Sequence, residues 1–375
     1  MLFLVGVVVY LALPSSYYLR RALIYQKPRI DHHEIFKSRL VEAKAPSPWL
    51  MSPNFNEQDI PSHLIPKFEE YETVAFLVIK DSAILFEQYW ENYSPQSLSN
   101  SFSMAKSIIS LAIGCAIDDG YIKDVNQSAS DFVPNFPSFN GKTLTIRHLL
   151  TMSAGVDFQE EYTSLFSPTT KLYYGDHLEK IVFGMKQIEE PGVNFVYQSG
   201  VTQLLAFILE KATGERLSSY VSRKLWTPMQ AEENALWSLD KMEGIEKAFC
   251  CFNSNIRDFA RFGQLLLNNG AWNGQQLVSP AYIEEAIHPD ATLLYKEYNE
   301  PNRHYGYQFW RLRYNELEIP YMRGILGQYV FVIPEYNAAI VRLGHKRSDT
   351  RTDQHYPSDI DVWLEAGLSI IQANN

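Results

Sequence analysis

At 375 residues the chain exceeds one minimal domain of roughly 150 residues, so two lobes or one large elaborated fold are expected. Apolar types make up 46% and charged types 20%, which excludes disordered and fibrous classes. The net charge is −10, from 33 basic and 43 acidic side chains, which argues against a nucleic-acid partner, because phosphate binding needs a basic face.

Residues 1–19 carry no charged side chain and run Met-Leu-Phe-Leu-Val-Gly-Val-Val-Val-Tyr-Leu-Ala-Leu before Pro14. The stretch approaches the ~20 apolar residues that cross a bilayer as a helix, with Pro14 interrupting it. It is expected to be a signal sequence or membrane anchor, holding the folded domain outside the cytoplasm in the cell envelope. Two features oppose that expectation. No basic residue precedes the apolar run, and Arg20 and Arg21 follow it where the positive-inside rule places cytoplasmic charge. Residues 20–50 hold seven Lys/Arg and three Asp/Glu, which leaves 26 basic and 40 acidic side chains for residues 51–375. Residues 20–65 are polar and broken by Pro28, Pro46, Pro48, Pro53 and Pro61, as expected of a tether or surface strap, and residues 66–375 form the folded domain.

Thr73–Ile79 and Ala83–Tyr89 are rich in β-formers around the turn Lys80-Asp81-Ser82 and predict a hairpin. Met104–Asp118 has little polar face, as in a helix buried on most sides, and Gly120 would end it. Helical periodicity returns at Ile146–Thr151, Val201–Thr213, Leu217–Leu225, Ile256–Asn268 and Ala281–Ala286. Strand-like runs reappear at Tyr305–Leu312, Gln328–Ile333 and Ala338–Leu343, with a closing helix over Ser358–Ile371. Strands at both ends around a helical middle predict an α/β (α+β) fold. Its lobe of residues 66–100 and 303–375 is one antiparallel sheet flanked by helices, and residues 101–302 form a mostly helical insertion.

Cys115, Cys250 and Cys251 cannot make a disulfide framework, since an adjacent pair is poorly placed to bridge and one cysteine must be left over. No His-Glu-x-x-His or Cys/His ligand spacing and no phosphate-binding glycine loop occurs, so neither a metal nor a cofactor is expected.

Ser103-Met-Ala-Lys106 sets a hydroxyl and an amine three residues apart at a helix start, on one face. A serine needs a base to become nucleophilic, and a buried lysine near a helix N-terminus can supply one. First-turn N–H groups there can also receive an oxyanion. Read locally, the same residues equally make an N-cap serine followed by a snorkelling lysine. A second match, Ser238-Leu-Asp-Lys241, has Asp240 beside its lysine and reads as surface. Tyr197, between Pro191-Gly192 and the helix from Val201, offers a phenol that a neighbouring lysine could turn into an acid/base.

In order along residues 70–347 these segments resemble the serine β-lactamase and penicillin-binding-protein superfamily, and within it the class C-like branch with esterases and 6-aminohexanoate-dimer hydrolases. Ser101-Phe-Ser-Met-Ala-Lys-Ser107 matches the nucleophile motif, Leu144–Gly155 the segment after the first helices, and Pro191–Gly200 the place of the Tyr-x-Asn motif. Arg257–Gly263 and Trp272-Asn-Gly274 resemble later landmarks, and Gly324–Pro334 the catalytic edge strand. The resemblance implies Ser103 as acylated nucleophile, Lys106 as its base, Tyr197 as second acid/base, and the N–H groups of Ser103 and Ile325 as oxyanion hole. It also implies Ser199, Arg323, Gly324 and Gln328 as substrate contacts, with Gly324 letting a substrate carbonyl approach its strand.

Two departures bear on substrate. Ser199 stands where many relatives have asparagine, and Met322-Arg323-Gly324 replaces the Lys-Thr-Gly or His-x-Gly triad. Both favour a small ester or amide substrate over a β-lactam or a D,D-peptide. A β-lactamase or D,D-peptidase, and a non-catalytic relative binding peptidoglycan or a protein partner, are the alternatives. Glu87 reads as a solvated strand carboxylate, and His148 or His345 could complete a Ser-His-Asp triad only without a Gly-x-Ser-x-Gly elbow. The sequence specifies no oligomeric state.

Overall fold

The computed structural model describes residue 13, residues 16–134, residue 136 and residues 138–374. One antiparallel sheet is assembled from both ends of the chain. Its strands, with those of a smaller sheet, are β1 (Ser38–Val41), β2 (Leu50–Met51), β3 (Thr73–Lys80), β4 (Ala83–Tyr89), β5 (Ser99–Asn100), β6 (Ala235–Ser238) and β7 (Phe252–Ser254). Four more follow late in the chain, β8 (Trp310–Tyr314), β9 (Leu317–Gly324), β10 (Gln328–Ile333) and β11 (Ala338–Gly344). The large sheet has the order β8-β9-β10-β11-β3-β4-β2, all antiparallel except the β2–β4 pair, and the small one β1-β6-β7-β5.

The helices that position the site are α1 (Tyr17–Tyr25), α2 (Met104–Asp118), α3 (Ile146–Leu150), α4 (Pro168–Tyr174), α5 (Ser199–Thr213), α6 (Ile256–Leu267), α7 (Pro280–Ile287) and α8 (Ile360–Gln372). Neighbouring residues of a strand face opposite sides, and Ala339 and Ile340 show where the helices go. A Cβ at Gly263 of α6 would lie 2.8 Å from Ala339 Cβ, and one at Gly367 of α8 would lie 2.2 Å from Ile340 Cδ1. The sheet is thus sandwiched, α6 on one face and α8 on the other, with glycine at each closest approach.

The middle of the chain is mainly helical. Thirteen of the fifteen residues of α2 are buried, and it packs against α5. Its apolar circumference, visible in the sequence, is what a central helix requires.

Three expectations about elements change. The run from Tyr305 turns back on itself, with Gln308 at φ +62°, and the strand begins only at Trp310. β9, not foreseen, pairs with both β8 and β10. The expectation of a membrane-spanning segment, and of a membrane partner through it, is corrected. Among the described residues no helix is long and apolar enough to cross a membrane. The first helix among the described residues, α1, carries Arg20 and Arg21 and packs on α4. The apolar run over residues 1–12, with Pro14 and Ser15, lies outside the described residues.

Residues 20–65 run along the folded body. Ile30, Val41, Ile60 and Leu64 are buried in its core, and β1 pairs with β6.

Lys247 closes the end of α4, wholly buried, donating from Nζ to the carbonyls of Leu172 (3.0 Å) and Gly175 (3.1 Å). Burial brings its pKa down from 10.5 to about 7. Between those two values the unfolded chain holds a proton that the native chain lacks, so stability rises with pH across that window and is flat below it. Urea denaturation from pH 7 to pH 10 is expected to show this rise, and Lys247→Met to flatten it.

Candidate active site

Ser103 occupies the N-cap position of α2, yet its side chain makes no capping hydrogen bond. The chain enters from β5 through Phe102, which is held at φ +43° with its N–H bonded to Asn100 Oδ1 at 2.9 Å. That left-handed residue, unfavourable for a bulky side chain, turns the backbone so that Ser103 faces a cavity rather than its own helix. Lys106, one turn on, donates from Nζ to Ser103 Oγ at 2.9 Å. It is 1% exposed and also donates to the Phe249 carbonyl at 2.8 Å, and it forms no ion pair among the described residues.

The cavity above Ser103 measures about 550 Å³ and is walled by Phe158, Glu160, Tyr197, Trp310, Arg323, Gly324 and Ile325, with Lys296, Arg347 and Arg351 around it. A narrower pocket of about 120 Å³ lies on the other side of Ser103, lined largely by Ala22, Phe102, Leu165, Tyr173, Tyr174 and Phe249. Ser103 therefore stands between two spaces, one polar-rimmed and one mainly apolar, and α1 supplies part of the second.

Tyr197 brings its ring to 5.0 Å from Lys106 Nζ, a cation–π distance. The ring packs against Trp310 and Tyr305 at 5.5 and 5.8 Å between centroids. Its hydroxyl bonds to no protein group among the described residues, while the residue lines the cavity.

Ser199 lies outside the lining of the larger cavity and borders the narrow pocket. Its Oγ and its N–H both donate to the Glu160 carboxylate at 2.7 Å, and Tyr162 donates to the same group. Glu160 thereby sits at the N-terminus of α5, where a negative charge is favoured, and it lines the cavity in Ser199's stead. Nothing in the sequence singled it out, because the contact joins residues 39 apart through an irregular loop.

Arg323 faces the cavity with its guanidinium 3.4 Å above the Trp310 ring centroid. Gly324 lines the cavity, and the packing beneath it gives a further reason for glycine. A Cβ there would lie 2.3 Å from the Ser101 carbonyl and 3.2 Å from Phe102 Cβ, so β9 presses on the segment that presents the nucleophile. Gly324→Ala should displace that segment and lower kcat by about 100-fold, the loss expected of a 1 Å misplacement, with folding retained by circular dichroism.

Gln328 is corrected out of the substrate site. It is fully buried, with its amide exchanging hydrogen bonds with the backbone of Gly344 at 2.7 and 3.1 Å. Ile325 lines the cavity, and its N–H, like that of Ser103, donates to no protein group among the described residues. The turn after it contains Leu326 at φ +62° and Gly327 at φ +84°. Arg342, overlooked in the sequence, pins that turn by donating to the carbonyls of Leu326 (3.0 Å) and Gly327 (2.8 Å).

Other candidates resolve as structure. Glu87 is not solvated but forms a two-point pair with Arg257 of α6. His148 accepts the Thr145 N–H within a capping box at the start of α3, and burial lowers its pKa. His345 lies beside Glu91 and Tyr93, so neither histidine meets Ser103. Ser238 is buried in β6, while Lys241 is exposed. The expectation that adjacent cysteines would not bridge is also corrected. Cys250 and Cys251 are disulfide-bonded, with Cys251 at φ +69°, and Cys250 borders the narrow pocket next to the carbonyl that holds Lys106.

A sandwiched antiparallel sheet, a helical insertion and a serine–lysine pair at the start of a buried helix together define a serine hydrolase site. Residues 62–360 match the Beta-lactamase family model, and the chain belongs to that family. It is 26% identical over 294 residues to the 6-aminohexanoate-dimer hydrolase of Paenarthrobacter ureafaciens, covering 74% of each chain. A Bacillus anthracis structure named for 6-aminohexanoate-dimer hydrolase superposes with a TM-score of 0.77 at 22% identity, covering 96% of this chain and 94% of that one. A family VIII carboxylesterase gives a TM-score of 0.63 at 17% identity, covering 86% and 98%.

Proposed function

We propose that the enzyme cleaves a carboxylic ester or amide through an acyl-enzyme on Ser103. The carrying observation is the 2.9 Å contact between Lys106 Nζ and Ser103 Oγ, on a lysine with no carboxylate partner among the described residues. In its amine form Lys106 takes the Ser103 proton as Oγ attacks the carbonyl carbon. The resulting oxyanion is received by the N–H groups of Ser103 and Ile325. The Tyr197 hydroxyl gives its proton to the departing alcohol or amine and regains one from Lys106. Water then repeats the sequence on the acyl-enzyme and releases the acid.

Hydrolases of linear amides and of carboxylic esters among the relatives support this substrate class. The cavity's cations, Lys296, Arg323, Arg347 and Arg351, outnumber its carboxylates, Glu160 and Glu297, which suits a substrate carrying an acidic group. Treatment with a fluorophosphonate followed by peptide mass spectrometry tests the reading. An adduct on Ser103, together with burst kinetics on a p-nitrophenyl ester, is the expected result, and an adduct on another serine would overturn it. Faster turnover of nitrocefin or a D-Ala-D-Ala peptide than of esters would replace the substrate class and leave the mechanism.

A further inference from the structure

Tyr295 lines the catalytic cavity, and on its other side two imidazoles pack against it, His304 at 6.0 Å and His355 at 6.1 Å between ring centroids. Both imidazoles meet one carboxylate. Glu300 Oε1 lies 3.0 Å from His355 Nε2 and 3.5 Å from His304 Nε2, and one ligand atom from each of the three residues falls within 4.8 Å of the others. We propose that Glu300, His304 and His355 bind a divalent transition-metal ion of the zinc type.

The donor set is two imidazole nitrogens and a carboxylate oxygen, which zinc accepts with bonds of about 2.0–2.1 Å and a fourth position left to water. In a tetrahedral shell of that size neighbouring donors stand about 3.3 Å apart, close to the two spacings that Glu300 already has. The two imidazole nitrogens, within 4.8 Å of each other, close the third edge by a shift of about 1.5 Å at most, and two separately held segments carry the ligands. Asn302, fully buried, accepts the N–H groups of His304 (3.3 Å) and Tyr305 (3.2 Å) and donates to the Tyr305 carbonyl, which fixes the arc from Glu300 to His304. His355 sits at φ +65° in a turn closed by its N–H to the Thr352 carbonyl, its ring stacked flat on Tyr298 at 3.5 Å. The side chains of His304 and His355 are 14% and 21% exposed, so an ion can enter from solvent.

Arg351 works against the site, since it donates to the His355 carbonyl and to Tyr298 Oη, and Arg303 adds positive charge near His304. The metal takes no part in acyl transfer. It ties the segment carrying Glu300 and His304 to the segment carrying His355, and these same segments supply Lys296, Glu297 and Arg351 to the cavity. Its effect is to hold Tyr295 and that rim in place.

The tag-free full chain, stripped with a chelator and dialysed, is titrated with zinc chloride against a chromophoric competitor. One saturable equivalent is expected, with a rise in Tm on zinc addition. His304→Ala and His355→Ala should each weaken binding by at least about 100-fold and Glu300→Gln by about 10-fold or more, since loss of an outer-shell partner alone costs about 10–100-fold. Circular dichroism establishes that the variants fold, and His63→Ala, at a surface pair with Glu365, leaves binding unchanged. Absence of a stoichiometric equivalent, or binding and a Tm rise that survive His304→Ala/His355→Ala, would show that the cluster is an ion pair only.

Discussion

Ser103→Ala is expected to lower kcat/KM for a p-nitrophenyl ester by about 10⁴-fold or more, and Lys106→Met by a comparable factor. The double variant should lose no more than either single one. Groups that act as one unit fail together: without the hydroxyl there is no proton for Lys106 to take, and without the amine the 2.9 Å partner of Oγ is gone. Additive losses would mean that the two residues act separately and would remove Lys106 as the base. Lys106→Met also leaves the Phe249 carbonyl without its donor, so circular dichroism and a thermal melt must accompany the kinetics. The fluorophosphonate adduct should disappear in Ser103→Ala and form far more slowly in Lys106→Met.

What the sequence exposes and what it hides follows from contact range. α2 and its serine–lysine pair are legible because both signals are local: apolar residues round a whole helix, and two functional groups one turn apart. β9 is not legible. Pro320 lies inside it, and a proline speaks against a strand flanked on both sides; here it pairs with Arg311 of β8 alone, one residue before the pairing with β10 begins at Tyr321. The roles of Ser199 and Glu160 are equally hidden, since a loop must fold back 39 residues to bring the carboxylate to the start of α5. Gln328 shows a related failure. The motif marks the right strand turn, but burial decides which side chains line the cavity, and for Gln328 that depends on Gly344, 16 residues on. Cys250 and Cys251 are bonded with Cys251 in a left-handed conformation, which residue type alone does not announce.

Arg342→Met is expected to cost about 3–5 kcal/mol of stability, the loss typical when one partner of a buried charged network is removed. The guanidinium is fully buried, stacks on Trp363 at 4.5 Å, and donates to the Tyr71, Leu326 and Gly327 carbonyls and to Thr73 Oγ1. Burial lowers its pKa to about 10, so it remains charged at neutral pH. Methionine fills part of the volume but leaves those oxygens without donors, each worth about 1–3 kcal/mol when stranded. Urea denaturation measures the loss. Activity supplies the second readout, because Arg342 is a positioning residue for the turn that starts at Ile325. Leu326 and Gly327 hold positive φ beneath its two carbonyl contacts. Once released, the turn can relax and carry the Ile325 N–H off line, with kcat falling by about 10²-fold, as when one oxyanion donor is lost. KM should change little, measured at a temperature where the variant is folded. Arg342→Lys separates charge from shape: an ammonium satisfies part of the network but cannot span Tyr71 and Gly327 together. It should regain part of the stability and little of the rate. Full recovery of both would mean that charge alone holds the turn, and an unchanged kcat in the folded Arg342→Met variant would detach the Ile325 N–H from the chemistry.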